Sequence, residues 1–348
     1  MKTFGRYLTY RLEKTLPGTL IFALAALAIN FVTVSDGIGR IRIENDETSL
    51  YMLAIILGAL CTVIPILELS DFKNRRNLDT LYVFPLNRGK MALAHYISGF
   101  IQILVVYSLC FFSSWIYLEI NTDCFALGYM LFYYILSILV GIAIYSIFCF
   151  LFVQGNTVVD GILFCILWIF VLLVVGWEIR ADFLRPYIVD TVYWESSANF
   201  ATDWGMIYSP LNNLTVIFQD IIEINKQALK HYYRDAYAAR YMREIYMFFV
   251  WGAIGLAAAF GYFITFVKKG AEKTGEVSDS WFGYRVLIPA YCYSFLMMYD
   301  MADMIMTVLI FALMVGGYVI YRRGFKFKSS DIIVTGCGVL ALLLGAML

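Results

Sequence analysis

Charge, histidine and proline are all scarce in this chain. Only 15% of its 348 residues are charged, two are histidine (His95 and His231) and six are proline. A soluble domain carries about 25% charged and roughly 45–50% apolar residues, whereas 61% are hydrophobic here. A mean hydropathy of +0.75 points the same way. Apolar surface on this scale calls for lipid as the solvent over most of the length, so the bilayer is the first expected partner. Two histidines leave little room for a catalytic histidine dyad, a multi-histidine zinc site or a haem-ligating bundle. The 26 basic residues cancel the 26 acidic ones, which excludes a polybasic nucleic-acid binder and makes the distribution of charge the informative quantity.

Cysteine supplies no framework either. Of the seven (Cys61, Cys110, Cys124, Cys149, Cys165, Cys292 and Cys337), only Cys124 lies outside an apolar stretch, and no CxxC occurs. They read as small buried hydrophobes, with no disulfide scaffold.

What the chain has is long apolar runs. A spanning helix needs about 20 mostly apolar residues. Nine segments qualify or come close: Gly18–Val34, Leu50–Leu67, Met91–Leu118, Phe125–Val153, Val158–Trp177, Ile245–Val267, Val286–Tyr299, Met304–Tyr321 and Ile332–Leu348. Val286–Tyr299 is the short one, about 21 Å long as a helix, with Pro289 inside it. It is kept as a short or broken span, because otherwise Arg322, Arg323, Lys326 and Lys328 would fall on the wrong side.

The basic residues orient the spans. With the N-terminus in the cytoplasm, the inside segments carry Lys2, Arg6, Arg11 and Lys14, then Lys73, Arg75, Arg76, Arg88 and Lys90. Lys268, Lys269, Lys273 and Arg285 follow on that side, and then Arg322, Arg323, Lys326 and Lys328. The short outer loops hold only Arg40 and Arg42. The remaining basic residues lie in one long outer region, where the positive-inside rule is weak. The chain is therefore expected to be a multi-pass protein of the cell membrane. Its first 16 residues do not read as a conventional signal peptide. Phe4, Tyr7, Leu8, Leu12 and Leu16 fall near one helical face with Arg6, Arg11 and Lys14 mostly elsewhere, an amphipathic helix on the inner surface. Pro17 then suits the first turn of the first span.

The segment 71–88 is the most informative. Phe72, Leu78, Leu81 and Tyr82 form an apolar face, with Lys73, Arg75, Arg76 and Asp79 projecting elsewhere. Pro85 pushes Phe84 out of the α region and ends the helix, and Arg88 and Lys90 precede the third span. On chemistry alone, this loop serves anionic headgroups and protein docking equally well. Its order of residues resembles the permease subunits of type-2 ATP-binding-cassette (ABC) exporters: Lys73-Asn74-Arg75-Arg76, then Asp79, then Phe84-Pro85-Leu86-Asn87-Arg88, with Phe84 where leucine is usual. Tyr208-Ser209-Pro210-Leu211 resembles that family's Ser-Pro element before the sixth span. Residues 268–275, Lys-Lys-Gly-Ala-Glu-Lys-Thr-Gly, resemble its basic element after that span.

The resemblance covers roughly residues 1–275 and implies an all-α polytopic fold. Its expected parts are an amphipathic inner-surface helix (1–16), a six-span permease core (17–267) with a coupling helix (71–88) and an outer region (178–243), and a linker with about three additional spans (268–348). It implies that Phe72, Arg75, Arg76, Asp79, Pro85 and Arg88 couple to a separate cytoplasmic ABC ATPase. A second permease copy or paralogue would complete the pathway. The expected function is outward transport of an amphipathic or hydrophobic substrate such as a peptide, lipid or drug. No cofactor is expected in this chain. ATP and Mg belong on the partner, since no G-x-x-x-x-G-K-[ST] is present: Gly89-Lys90 is followed by Met91. The chain stops within its last apolar stretch, as a fragment or a short variant would.

The outer region is rich in aromatic residues. These read either as an interfacial belt or as an outer gate built on Trp194, Trp204 and Tyr208. Ile217, Ile221, Ile222 and Ile224 predict an amphipathic helix near 213–232. Within the spans, Glu68 closes the second and Asp160 opens the fifth, while Asn30 and Gln102 lie deeper and read as interhelical hydrogen-bonders. No run of ionisable groups crosses the membrane, which disfavours a proton-coupled carrier. Two other readings stay open. One is a sensor or scaffold with a permease-like fold. The other, less favoured, is a membrane-embedded lipid-modifying enzyme.

The orientation is directly testable. In a background cleared of Cys124, cysteines introduced at Arg75 and Arg323 are expected to escape an impermeant thiol reagent in intact cells. Those introduced at Asp46 and Asn199 are expected to react. Labelling of both sets from outside overturns the assignment.

Overall fold

A computed structural model describes residues 2–44, 48–74, 86–121, 127–178, 210–211, 214, 231–270, 274–276, 278, 280–298, 304–322, 324, 328–329, 331–333 and 335–336. Among the described residues the chain is all-helical, without a strand. The helices are α1 (Lys2–Glu44), α2 (Thr48–Ser70), α3 (Arg88–Asn121), α4 (Leu127–Gln154), α5 (Val158–Glu178), α6 (His231–Lys268), α7 (Tyr284–Met298) and α8 (Met304–Arg322). A short 3-10 turn, Asp71–Lys73, follows α2. Among the described residues, five helices are long and apolar enough to cross a membrane: α1, α2, α3, α4 and α6. α5 and α8 contain shorter apolar stretches, Val158–Val171 and Val308–Arg322. The expected all-α polytopic class is therefore met. Most of the expected ninth span, Ile332–Leu348, lies outside the described residues, as does most of the helix expected near 213–232.

Two helices begin earlier than their apolar runs. α6 starts at His231, well before the apolar segment at Ile245. α1 is a single helix from Lys2 to Glu44 with Pro17 in its interior, so the expected start of a separate span at Pro17 is not seen. Pro17 lies on an exposed part of the helix. Tyr7, Arg11 and Asn30 of the same helix are buried.

The chain divides into two compact units. The first contains α1, α2, α3, α4 as far as Phe150, and α6. Its largest helix–helix interface is α1 with α3, and α2 packs on both. α2 shows why: Leu53, Leu57, Leu60 and Ile64 recur at helical spacing and are buried, whereas Ile55, Val63 and Leu67 point outward. That outward face is apolar, as a helix surrounded by lipid requires. α6 approaches α4 through small residues. A Cβ on Gly255 would sit 2.6 Å from the Ala143 Cα, and α6 also packs on α3, where Tyr262 donates its hydroxyl to the Ala92 carbonyl at 3.1 Å. Further along α6, Gly261 lies against the Phe150 ring.

The second unit contains Phe72–Arg75, the chain from Leu151 through α5, and α7 and α8. α7 packs on both α5 and α8. Tyr293 and Ile310 form its small core with Phe295 and Phe311. α7 is fifteen residues long and keeps Pro289 inside the helix, in agreement with the short segment read from the sequence.

The α4–α6 contact yields a prediction. Gly255→Leu forces a side chain into the Ala143 backbone and is expected to cost about 1–3 kcal/mol, read as a lowered melting temperature in detergent. Gly252→Leu, one turn away with nothing within 4 Å of its Cβ position, is expected to melt like the parent.

Candidate functional site

The richest polar chemistry lies where α1, α2 and α3 meet in the first unit. Tyr7 and Arg11 are four residues apart on α1, Glu68 is near the end of α2, and His95, Ser98 and Gln102 share a face of α3 at spacings of three and four. This periodicity puts each set on one side of its helix. Arg11 is 3% exposed and Glu68 1%. Arg11 Nε donates to Glu68 Oε2 at 3.1 Å, its Nη2 to the Glu68 carbonyl at 3.0 Å, and its Nη1 to Asp71 Oδ2 at 2.8 Å. Lys14 reaches the same Asp71 oxygen at 3.3 Å. Two cations thus face two carboxylates.

Glu68 is engaged on both oxygens. Oε2 also takes His95 Nδ1 at 3.1 Å, while Oε1 accepts from Ser98 Oγ at 3.0 Å and Gln102 Nε2 at 2.5 Å. A carboxylate has roughly four lone-pair directions, and four side-chain donors occupy them. Since a carboxylate only accepts, His95 carries its proton on Nδ1. The other ring nitrogen, Nε2, shares a hydrogen bond with the Tyr7 hydroxyl at 2.9 Å. Thr19 extends the network to Gln102 at 3.2 Å. Further along α1, Asn30 donates to the Cys110 carbonyl at 3.1 Å and to Ser114 at 2.5 Å. Asn30 and Gln102 are interhelical hydrogen-bonders, as expected. The arrangement is a clamp: it leaves Glu68 no acceptor direction for a substrate and binds three helices at one end.

Arg11 and His95 are the residues that sequence reasoning missed. Counting Arg11 among inside charges placed it on a surface helix, whereas it is buried. The readable signal was a polar stripe at helical spacing on α3 (His95, Ser98, Gln102) inside an otherwise apolar run.

The expected coupling residues are placed in part. Phe72 lies in the 3-10 turn, half-buried. Arg75, Arg76, Asp79 and Pro85 lie outside the described residues, as do Trp194, Trp204 and Tyr208 of the expected outer gate. Both ends of the 71–88 segment are described. Arg88 opens α3 and donates Nη1 to the Lys269 carbonyl at 2.9 Å, just past the end of α6. Lys73, within the second unit, donates to the carbonyls of Phe152, Gly155 (2.9 Å) and Thr157 (3.4 Å), and lies over the Phe152 ring at 4.0 Å. Both cations sit on the carbonyl end of a helix, where unsatisfied C=O groups and the helix dipole favour positive charge.

The α4–α5 turn that holds Lys73 is tightly built. The Thr157 hydroxyl accepts from the Asp160 amide at 3.0 Å, an N-cap for α5. A Cβ on Gly155 would come within 2.5 Å of the Gly161 nitrogen, so only glycine allows this approach. Ser278 donates to the Gln154 carbonyl at 2.7 Å and the Gly275 amide to the Asn156 carbonyl at 3.2 Å. The turn therefore collects both Lys73 and the linker after α6. Asp160 accepts from the Tyr284 hydroxyl at 2.5 Å.

Among the described residues, no group of three His, Cys, Asp or Glu side chains is placed to hold a metal ion. The five described cysteines are free thiols, four of them buried. No family model, curated protein or solved structure matches this chain.

Removing one member of a buried ion pair strands the other, at a cost of about 3–5 kcal/mol. Arg11→Met is expected to lower stability by that amount in reversible denaturant unfolding of the detergent-solubilised protein. Combined with Glu68→Gln, it is expected to fall short of the sum of the two single losses, because both remove the same contact. Additive losses would mean that the pair is not coupled.

Proposed function

We propose that this chain is the transmembrane subunit of an ATP-driven exporter, with a six-span core of the type-2 ABC permease kind and a partner ATPase that carries ATP and Mg. The observation that carries this reading is the anchoring of segment 71–88 at both ends. Lys73 is fixed on the α4–α5 turn and Arg88 on the end of α6. A loop held in this way passes a push on its middle to membrane helices through short, charge-assisted hydrogen bonds. A loop that only touches headgroups has no need of such attachments. The middle carries Arg75, Arg76 and Asp79, the charge that a cytoplasmic partner would meet. The order of motifs in residues 1–275 supports the same assignment. A buried Glu68 filled with internal donors speaks against the chemistry that a lipid-modifying enzyme would need. Closure of two ATPases on a pair of such subunits would tilt the helices and open the outer side, an alternating-access motion by rigid bodies.

Reconstitution in vesicles tests the proposal. The chain alone is expected to show neither ATP hydrolysis nor gradient-driven uptake. With its ATPase, ATP on the cytoplasmic side is expected to drive hydrolysis and accumulation of a hydrophobic substrate on the outer face. Arg75→Glu with Arg76→Glu is expected to weaken co-purification of the ATPase, a loss of about 2–5 kcal/mol for a desolvated charged contact. Lys73→Met is expected to retain the ATPase yet lower the substrate-stimulated hydrolysis. Proton-driven transport by the lone chain overturns the reading in favour of a secondary carrier. Unchanged association and hydrolysis in all variants returns the loop to a headgroup-binding role.

A further inference from the structure

The second unit holds a group of charges that the exporter reading does not use. Asp331 is 1% exposed, and both its oxygens are taken. Arg322, the last residue of α8, makes a two-pronged contact, Nε to Oδ2 at 3.0 Å and Nη2 to Oδ1 at 2.8 Å. The Lys328 amide adds a third bond to Oδ2 at 3.1 Å. Burial pushes the Asp331 carboxyl up, but these hydrogen bonds and the nearby Arg285 outweigh it and hold the group below the usual carboxylate range.

Arg285 differs from Arg322. Its side chain is 18% exposed, and its nearest carboxylate atom is Asp331 Oδ1 at 3.8 Å, outside hydrogen-bond range. Its Nε is buried without a hydrogen-bond partner. The guanidinium lies over Trp281, 4.5 Å from the ring centre. The Tyr318 hydroxyl donates to the Arg285 carbonyl at 2.7 Å and so ties the first turn of α7 to α8. Arg285 is thus fixed by its ring and its backbone while its fork of donors is unused. Such a fork matches the oxygens of a carboxylate or a phosphate.

Two observations favour phosphate. Arg322 ends the apolar stretch Val308–Arg322, so the cluster falls at the depth where an apolar helix leaves the hydrocarbon. The aromatic residues around it are those that favour headgroup depth. Trp281 is 64% exposed, Tyr321 lies under Arg322, and Trp168 donates its indole N–H to the Phe282 carbonyl at 2.7 Å.

From this geometry we infer a phosphate-binding site formed by Arg285 on Trp281, beside the Arg322–Asp331 pair. Asp331 sets the position of Arg322, and Arg285 supplies the open fork. The site does not depend on the transport assignment. The phosphate comes either from an anionic phospholipid headgroup or from solution, and the test separates the two.

The purified full chain is melted in a phosphate-free buffer with mixed micelles of phosphatidylglycerol, with micelles of phosphatidylcholine, or with inorganic phosphate. A rise in melting temperature with phosphatidylglycerol alone identifies the lipid as the source. An equal rise with inorganic phosphate identifies free phosphate. In Arg285→Gln, the half-effective concentration is expected to increase about tenfold, as the loss of one charge-assisted contact implies. Arg285→Lys is expected to fall between, since it keeps the charge and loses the fork. Native mass spectrometry on the same samples, which counts bound phospholipid without reference to stability, is expected to show one fewer on Arg285→Gln. The inference is overturned if no phosphate source shifts the parent, or if Arg285→Gln shifts and binds as the parent does.

Discussion

The ion pair between Arg11 and Glu68 governs the first unit. A charged side chain within a membrane helix costs roughly 2.5–3.5 kcal/mol on translocon-derived scales, and neither residue is exposed enough to recover that cost from water. Each is tolerable only beside the other. The pair therefore fixes the rotation of α1 against α2, and the remaining acceptor directions of Glu68 recruit Ser98, Gln102 and His95 from α3. Apolar contacts alone would allow these helices to slide past one another, because lipid tails are as apolar as leucine. A carboxylate surrounded by four donors has one geometry, and the helices inherit it.

Positive charge is used in a second way where helices end. Lys73 and Arg88 serve carbonyls at the ends of α4 and α6. Arg322 at the end of α8 instead pairs with a buried carboxylate. The first two neutralise partial charges that any helix creates at its C-terminus. The third neutralises a full charge and places a guanidinium where the helix leaves its apolar stretch. Residues of one type, all counted alike in a tally of inside charges, carry out these different tasks.

The fold was legible in the sequence where length and hydropathy decide it. The five long apolar helices and the short, proline-containing α7 all follow from run length. Asn30 and Gln102 were legible as interhelical donors because an amide deep in an apolar run has few other uses. The roles of Arg11 and Lys73 were not. Near a span end, a snorkelling side chain, a headgroup contact and an internal ion pair have the same sequence signature. Only a partner brought close by folding tells them apart, and Glu68 is 57 residues from Arg11 while Gly155 is 82 from Lys73. The continuity of α1 through Pro17 was hidden for a related reason. Proline marks either a helix start or a tolerated interior position, and packing against α3 selects the second.

The span of sequence between the partners also sets an order of events during synthesis. Arg11 leaves the ribosome first, but Glu68 is made 57 residues later and His95 27 residues after that. At about 5–20 residues per second, the arginine waits some 3–11 s for its carboxylate. During that interval α1 has a charge that the hydrocarbon rejects, so it is held at the interface or within the insertion machinery until α2 arrives. α1 is thus made before the helix that carries its counter-charge, and the arrival of α2 is what allows it to settle in the bilayer.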